Sequence, residues 1–238
     1  MTDVSTMVDI GKQLNINFKE DEIKKFLVYK ELLKEWNQRI NITSIKNDRE
    51  IDIKHFLDSL TLLNTGLFDT KVKVIDVGTG GGFPGVPLKI IKEQLDMILL
   101  DSLNKRIIFL KEIIDKLGLG GIEAIHGRAE EFGRNELYRE KFDIVVSRAV
   151  APLNILSEYC LPFVKKSGYF IAMKGSNIDE ELNNSLNAIK ILGGRVKEKR
   201  FVVLPETDIC HSLIIIEKIK DTSTKYPRPA GKPKKNPL

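Results

Sequence analysis

The chain has 238 residues, of which 42% are hydrophobic and 30% are charged, and its formal net charge is +5. Such a chain can bury a sizeable core, either as one domain with an extension or as two small domains. No stretch approaches the roughly 20 apolar residues of a membrane span, and residues 1–9 lack the basic and apolar regions of a signal peptide, so we expect a soluble, cytoplasmic protein.

The first part of the chain predicts helices. Residues 3–14 and 20–40 have helical patterns, and a third helix is predicted from Ile51 to Leu63, ended by Asn64-Thr65-Gly66. Along the second helix one apolar stripe recurs at spacings of three and four, which predicts a buried face: Phe26, Tyr29, Leu33, Trp36 and Ile40. Trp36 could stack on a base, but a large aromatic residue within an apolar stripe favours core packing.

From Val72 onward, short apolar strands alternate with amphipathic helices, which is typical of a doubly wound α/β fold with a mostly parallel sheet. The last two strand candidates are separated only by residues 205–211, a loop that suits a hairpin and therefore an antiparallel final strand. Seven strands are predicted, at residues 72–77, 97–100, 122–126, 143–147, 168–173, 199–204 and 212–217.

The loop after the first strand is the most informative segment. From Val74 to Gly85 it reads Val-Ile-Asp-Val-Gly-Thr-Gly-Gly-Gly-Phe-Pro-Gly, an apolar strand that ends in an acid and breaks into glycines. Glycine lets a backbone take positive φ and approach a ligand closely, so this pattern predicts a nucleotide-type ligand. The alternative is a tight turn with a purely structural role.

Spacing separates the nucleotide folds that use such a loop. A P-loop would need Lys and Ser or Thr after Gly85, where Val86 and Pro87 stand. A dinucleotide fingerprint beginning at Gly78 would need a third glycine where Phe83 stands. What remains is acid-x-Gly-x-Gly-x-Gly from Asp76 to Gly82, which resembles the first motif of class I S-adenosylmethionine (SAM) methyltransferases.

The second strand ends in Asp101, 25 residues after Asp76. In a βαβ unit this spacing places a carboxylate at the carboxyl end of the neighbouring strand, where it can accept both ribose hydroxyls of an adenosine. The alternative is that Asp101 caps the helix that opens at Ser102, and the two roles are compatible.

Several further segments narrow the resemblance to the glucose-inhibited division protein B family, the ribosomal RNA small-subunit methyltransferases G. The chain is similar to that family from about residue 36 to its end, except that Pro229 stands where the family's ending would have Lys or Arg. The segments that carry the resemblance are Asn41-Ile-Thr-Ser-Ile45, His55-Phe-Leu-Asp-Ser-Leu60, Asp76 to Leu88, Asp101-Ser-Leu-Asn-Lys-Arg106, Gly127-Arg-Ala-Glu-Glu131, Ser147-Arg-Ala-Val-Ala-Pro152 and Tyr226-Pro-Arg-Pro-Ala-Gly-Lys-Pro233.

The resemblance implies transfer of the SAM methyl group to N7 of a guanine in small-subunit (16S) ribosomal RNA. It also implies SAM contacts at Gly78, Phe83, Ala129, Glu130 and Arg148, to which the motif reasoning adds Gly80 and Asp101. We expect Phe83 to form a wall of the pocket and Ala129 with Glu130 to flank the adenine. Core packing for Phe83 and a solvated helix start for Glu130 are the alternatives.

Four basic residues are candidates for binding the RNA: Arg128, Arg148, Lys174 and Arg200. Arg148 has a fork of donors that can hold either a carboxylate or a phosphate. N7 of guanine has a lone pair and no proton to remove, so no catalytic base is required and the expected contribution is alignment of the reactants. We expect nearby carboxylates, Asp58 or Glu130, to favour the guanine as it becomes cationic.

The sequence predicts three regions: a helical N-terminal extension at 1–66, a SAM-binding domain at 67–220 and a basic, Pro-rich tail at 221–238. From residue 218 to the end there are seven Lys or Arg and one acid, Asp221. This tail is expected to be a flexible arm that adds phosphate contacts, or else a disordered solubilising end. Cys160 and Cys210 are expected to be buried small hydrophobic residues, and we expect no metal and a monomer.

Other functions remain open at this point. A SAM-dependent methyltransferase acting on another RNA, a protein or a small molecule would keep the same pocket. A non-catalytic ribosome-assembly factor would bind RNA and SAM without transfer, although the intact acid-glycine loop argues against it. An oxidoreductase is disfavoured by Phe83 in place of the third glycine.

Overall fold

The computed structural model describes residues 5–238. Helices α1 (Ser5–Gln13) and α2 (Glu20–Ile40) confirm the first two predicted helices, except that residues 3 and 4 lie outside the described part of the chain. Phe26, Tyr29 and Leu33 are buried on α2. Trp36 and Ile40 are only half-buried, and Trp36 packs against the core residue Phe109, with ring centroids 5.8 Å apart, which favours packing over base stacking.

The third predicted helix is an irregular helical segment. It runs through α3 (Asp48–Ile51), a π-helical turn (Asp52–Leu57), α4 (Asp58–Leu60) and a 3₁₀ turn (Thr61–Thr65). Its start is three residues earlier than predicted, because the Asn47 side chain accepts a hydrogen bond from Glu50 N. The segment stops at Gly66, whose φ of +71° lies in the left-handed region, as predicted.

All seven predicted strands are present: β1 (Lys73–Val77), β2 (Asp96–Asp101), β3 (Ile122–His126), β4 (Phe142–Arg148), β5 (Val164–Gly175), β6 (Gly194–Val203) and β7 (Cys210–Lys218). They form one sheet in the order β3-β2-β1-β4-β5-β7-β6. Strands β1 to β5 are all parallel to one another, and β7 is antiparallel to both of its neighbours, β5 and β6. The predicted α/β fold with an antiparallel last strand is therefore confirmed.

Helices cover both faces of this sheet. One hydrophobic cluster joins a face of the sheet to α1, α2, α5 (Gly85–Ile91) and α6 (Asn104–Lys116). A second cluster joins the other face to α8 (Leu153–Cys160) and α9 (Asp179–Ile191). A short turn connects the end of β3 to the short helix α7 (Ala129–Phe132). The N-terminal helices therefore share one core with the sheet.

The edge of the sheet at the carboxyl ends of β1 to β5 collects most of the predicted site residues. Because β7 is antiparallel to β5, His211 near the start of β7 pairs with Gly175 at the end of β5 and reaches the same edge. Open α/β sheets bind ligands at this edge, so the candidate site lies there.

The basic tail is not the flexible arm that the sequence predicts. Residues 222–238 run along the body of the protein and end in α10 (Lys232–Lys235), with Thr222, Pro227 and Pro233 buried. Both cysteines are free, Cys160 buried and Cys210 half-buried. Within the described residues, no helix combines the length and apolar character needed to cross a membrane.

Candidate functional site at the carboxyl edge of the sheet

The glycine loop turns sharply after β1. Gly78, Gly80 and Gly82 have φ values of +73°, +61° and +96°, a region that side chains other than glycine rarely adopt. A Cβ on Gly78 would lie 2.5 Å from a methyl group of Val150. Gly78 N donates to Leu100 O at 2.8 Å, which fixes the loop to β2.

Asp76 holds this loop from inside the protein. Its Oδ2 accepts hydrogen bonds from Thr79 Oγ1 at 2.7 Å and from Gly85 N at 2.9 Å, whereas its buried Oδ1 has no hydrogen-bond partner among the described residues. Burial raises the pKa of Asp76 to about 7, because desolvation outweighs both hydrogen bonds. Asp76 therefore changes its charge near neutral pH.

Asp101 connects the glycine loop to the next helix. Its Oδ2 accepts from Gly80 N at 2.9 Å and lies 3.3 Å from Arg106 Nη1, and its Oδ1 accepts from Leu103 N at 2.9 Å. Helix α6 begins only at Asn104, so Asp101 supports the turn before the helix rather than capping it. Asp101 is nevertheless one of the residues that line the candidate cavity.

A cavity of about 170 Å³ lies between the loops that follow β1, β2, β3 and β4. It brings together five of the predicted site residues, Gly78, Asp101, Arg128, Ala129 and Glu130. Its other lining residues are Val77, Leu100, Ser102, Gly127, Val150 and Tyr159. Sequence reasoning missed Val150 as a lining residue, although its motif had been singled out, and no sequence signal pointed to Tyr159.

Two of the lining residues, Glu130 and Val150, have notable surroundings. Glu130 is 7% exposed, and its Oε1 accepts a hydrogen bond from Gly231 N of the C-terminal segment at 3.1 Å. The predicted alternative of a solvated helix start is therefore wrong. Val150 lies in a loop where Ala149 has a φ of +55°, a conformation uncommon for alanine.

Arg148 ends β4 and turns inward to the helical segment instead of facing the cavity. Its Nη1 donates to Lys54 O at 2.9 Å and to Asp58 Oδ2 at 2.8 Å, and its Nη2 lies 3.1 Å from His55 Nδ1. Its guanidinium also lies 5.0 Å from the centre of the Phe83 ring. In this arrangement the donor fork of Arg148 is already used by the protein.

The Phe83 ring does not line the cavity. It stacks on His55 at 4.4 Å and on Tyr29 at 5.5 Å, so the core-packing alternative is correct for its side chain. Tyr29 OH donates to Gly81 O at 2.5 Å, so α2 directly supports the glycine loop.

His55 is buried and neutral at physiological pH. Desolvation, reinforced by the charge of Arg148, lowers the pKa of His55 to about 4. Because Nδ1 faces the Arg148 donor, the ring proton belongs on Nε2, which lies 2.8 Å from Thr43 Oγ1.

Asp58 is fully engaged inside the protein. One carboxylate oxygen binds Arg148, and the other lies 2.8 Å from His211 Nδ1. Burial acts to raise the pKa of Asp58, but His211 and Arg148 outweigh it and hold this pKa below its ordinary value. The expected role of Asp58 near a cationic guanine therefore has no free carboxylate oxygen to support it.

The two remaining predicted RNA-binding residues also have partners within the protein. Lys174 Nζ lies 2.6 Å from Glu181 Oε1 and donates to Ala151 O at 2.9 Å. Arg200 forms two bonds to Glu198 and donates to Asn64 O at 2.5 Å. Arg128 differs from both, because its side chain is exposed at the rim of the cavity.

A larger groove of about 870 Å³ lies between the end of α2 and residues 41–46. It touches the site only indirectly, because Ile42 packs against Gly81 of the glycine loop. The smaller cavity has the glycine loop and the carboxylates and is therefore the candidate functional site.

Comparison with known proteins identifies the relatives of this chain. Residues 22–210 match the family model described as rRNA small subunit methyltransferase G. A ribosomal RNA small subunit methyltransferase G from Alkaliphilus metalliredigens is 51% identical over 227 residues, covering 95% of each chain. Another from Thermoanaerobacter sp. is 51% identical over 235 residues, covering 99% of this chain and 98% of the relative.

Solved structures share the fold at low sequence identity. MtNAS in complex with MTA and tNA has a TM-score of 0.55 at 15% identity, covering 84% of this chain and 74% of that one. TYW2 from M. jannaschii in complex with AdoMet has a TM-score of 0.51 at 12% identity, covering 67% of this chain and 74% of that one. At these identities the likeness establishes the architecture alone.

Proposed function

The chain belongs to the rRNA small subunit methyltransferase G family, and from this membership we propose that it transfers the methyl group of SAM to N7 of a guanine in small-subunit (16S) ribosomal RNA. The main observation behind the proposal is the cavity at the carboxyl edge of the sheet, which is lined by the glycine loop and by two carboxylates. Gly78, Asp101 and Glu130 line it together.

The groups around this cavity fit the chemistry of SAM. Gly78 and Gly80 have no side chain of their own to block an approach to the backbone, and Asp101 and Glu130 supply acceptors for the hydroxyl and amino groups of an adenosine. Asp76 is fully buried behind the glycine loop and is not a lining residue, so its carboxylate acts on a positively charged ligand through its charge rather than by contact.

The space available is smaller than the whole cofactor needs. A volume of about 170 Å³ lies below the roughly 300–1,000 Å³ typical of small-molecule sites. Val150 occupies the space in front of Gly78, and the neighbouring Ala149 has an unfavourable φ. We therefore infer that residues 149–151 shift when the cofactor binds.

When bound, SAM supplies an electrophilic methyl group on a positively charged sulfur. The residues of this chain bind and orient the reactants and exclude water, and none has to remove a proton, because N7 of guanine reacts through its lone pair. As methyl transfer moves positive charge onto the guanine, the buried carboxylates near the cavity favour the product side. His55, Asp58 and Arg148 act behind the site, where they hold β4 against the helical segment.

Direct detection of the methylated nucleoside tests the proposed reaction. The purified protein is incubated with methyl-labelled SAM and small ribosomal subunits from cells that lack it, and the digested RNA is analysed by mass spectrometry. We expect labelled 7-methylguanosine with the wild-type protein and a strong loss with Glu130→Ala, whose folding is checked by thermal unfolding. SAM binding without labelled 7-methylguanosine would contradict the proposed acceptor.

The charge of Asp76 predicts a pH dependence of SAM affinity. With a pKa of about 7, only a small fraction of Asp76 is ionised at pH 6, whereas most is ionised at pH 7.5. SAM is a cation and favours the ionised form, so its affinity should rise by up to about eight-fold over this range, most of which lies below the pKa of an α-amino group. Titration calorimetry across the range measures the change.

Asp76→Asn is the matched control for this titration, because an amide oxygen can still accept from Thr79 and Gly85. Its SAM affinity should be weaker and should not change with pH.

The stability of the unliganded wild-type protein should depend on pH in the opposite direction to its SAM affinity. The folded-state pKa is raised above the ordinary value of 3.8, so stability falls as pH rises from about 4 to 7. If SAM affinity or stability changed with pH as steeply in the Asp76→Asn variant as in the wild type, a group other than Asp76 would be responsible.

A further inference from the structure

The C-terminal segment is held against the body of the protein by hydrogen bonds, unlike a disordered basic tail. We call residues 222–238 the C-terminal strap; it contains five Lys or Arg and no Asp or Glu. Two arginines of the body hold its backbone. Arg139 donates to the carbonyl oxygens of Thr222 and Tyr226 at 2.6 and 2.8 Å, and Arg134 donates to that of Pro227 at 2.7 Å. Two cations are thus used to fix a basic segment in place.

A buried ion pair anchors the middle of the C-terminal strap. Glu158 on α8 is fully buried, and its carboxylate accepts from Arg228 N at 2.7 Å, Arg228 Nε at 2.9 Å and Arg228 Nη2 at 2.6 Å. The pair neutralises Glu158, which is the residue before Tyr159 of the cavity wall. The anchor therefore ties the strap to the helix that lines the candidate cofactor site.

The end of the C-terminal strap lies beside the cavity itself. Gly231 N donates to Glu130, a cavity-lining residue, and α10 follows directly. Pro233 is buried and fixes α10 to the body, whereas its neighbours Lys232, Lys234 and Lys235 are exposed. None of these three lysines has an ion-pair partner among residues 5–238, and the rim residue Arg128 is likewise exposed.

We propose that Lys232, Lys234 and Lys235 form a preorganised site for the phosphates of the acceptor RNA, beside the cofactor cavity. The proposal rests on the proposed function and specifies where the RNA backbone binds. Three adjacent lysines without acidic partners complement the dense negative charge of RNA phosphates. Because the strap is already held in place, binding RNA does not have to order it first, which preserves affinity.

The test compares two triple variants with the same change in net charge. One replaces Lys232, Lys234 and Lys235 by alanine. The control replaces Lys71, Lys141 and Lys166, which are exposed at the opposite edge of the sheet, near the starts of β1, β4 and β5. Binding of the fluorescently labelled full chain to 16S ribosomal RNA is measured across a salt series, and SAM affinity and thermal unfolding are measured for each variant.

We expect the strap variant to bind the RNA at least about ten-fold more weakly in 0.1 M salt, with a salt slope reduced by about two, as expected for three lost phosphate contacts. Its SAM affinity and unfolding temperature should match the wild type, and the control variant should stay within about two-fold. Equal losses in both variants, or an unchanged salt slope in the strap variant, would overturn the proposal. Because RNA binding is measured without methyl transfer, a failure of the proposed reaction is distinguishable from a failure of this site.

Discussion

Gly82→Ala should destabilise the protein strongly and abolish tight SAM binding. The φ of Gly82 is +96°, and an added Cβ would lie 2.6 Å from Tyr29 OH and 2.8 Å from Val86 Cγ2. Backbone strain and overpacking each cost about 1–3 kcal/mol, so we expect a loss of about 4 kcal/mol and a fall of about 10 °C in the unfolding temperature. Differential scanning calorimetry and SAM titration measure the two effects.

Two other glycines separate the causes of that loss. Gly118 has a φ of +60° but no atom within 4 Å of an added Cβ, and Gly120 has neither problem. Gly118→Ala should therefore show only the backbone cost of about 1–2 kcal/mol, and Gly120→Ala should be nearly neutral. If Gly82→Ala cost no more than Gly118→Ala, the close contacts of the loop with Tyr29 and Val86 would not matter for stability.

The sequence was sufficient to predict the sheet because its parallel strands are nearly continuous apolar runs. The predicted strands β5 and β6 are shorter than the observed ones, because their first residues are not continuous apolar runs. β5 begins at Val164, but Lys165, Lys166 and Ser167 are polar and hide its first residues. β6 is an edge strand whose early residues alternate between charged and apolar, such as Arg195 and Val196. That β7 lies between β5 and β6 depends on tertiary pairing and has no local signal.

The candidate site was predictable to the extent that strand ends meet at one edge. This rule correctly predicted that Gly78, Asp101 and Glu130 lie close together, and they line one cavity. It failed for Arg148, because the partners of Arg148 at Lys54, His55 and Asp58 lie more than 85 residues away in the chain. A buried carboxylate that captures an arginine is a tertiary contact, and no spacing rule in one sequence indicates which acid will do so.

The C-terminal strap escaped prediction for the same reason. Its composition is typical of disordered basic ends, since it is rich in Lys and Pro and has few apolar residues. The residues that order it belong to the body of the protein: Arg134, Arg139 and the buried Glu158. The strap should therefore depend on a small number of identifiable contacts, of which the Arg228–Glu158 pair is the most buried.

Arg228→Ala should release the C-terminal strap and destabilise the protein. The substitution leaves the Glu158 carboxylate, which is 1% exposed, without its guanidinium, and breaking a buried ion pair costs about 3 kcal/mol or more. Hydrogen exchange should increase across residues 222–238, and the unfolding temperature should fall by several degrees. Glu130 should lose its bond from Gly231, which should weaken SAM binding as well.

Two companion variants show whether the geometry or the charge of this pair matters. Arg228→Lys keeps the positive charge but has no planar fork to match the carboxylate, so it should recover only part of the stability. Arg228→Ala combined with Glu158→Leu removes the buried charge along with its partner and should be more stable than Arg228→Ala alone, since no uncompensated carboxylate remains. Even with that recovered stability, the double variant should still exchange rapidly at residues 222–238, because the link between strap and body is absent. Slow exchange there in both Arg228→Ala and the double variant would mean that Arg134 and Arg139 hold the strap without the buried pair.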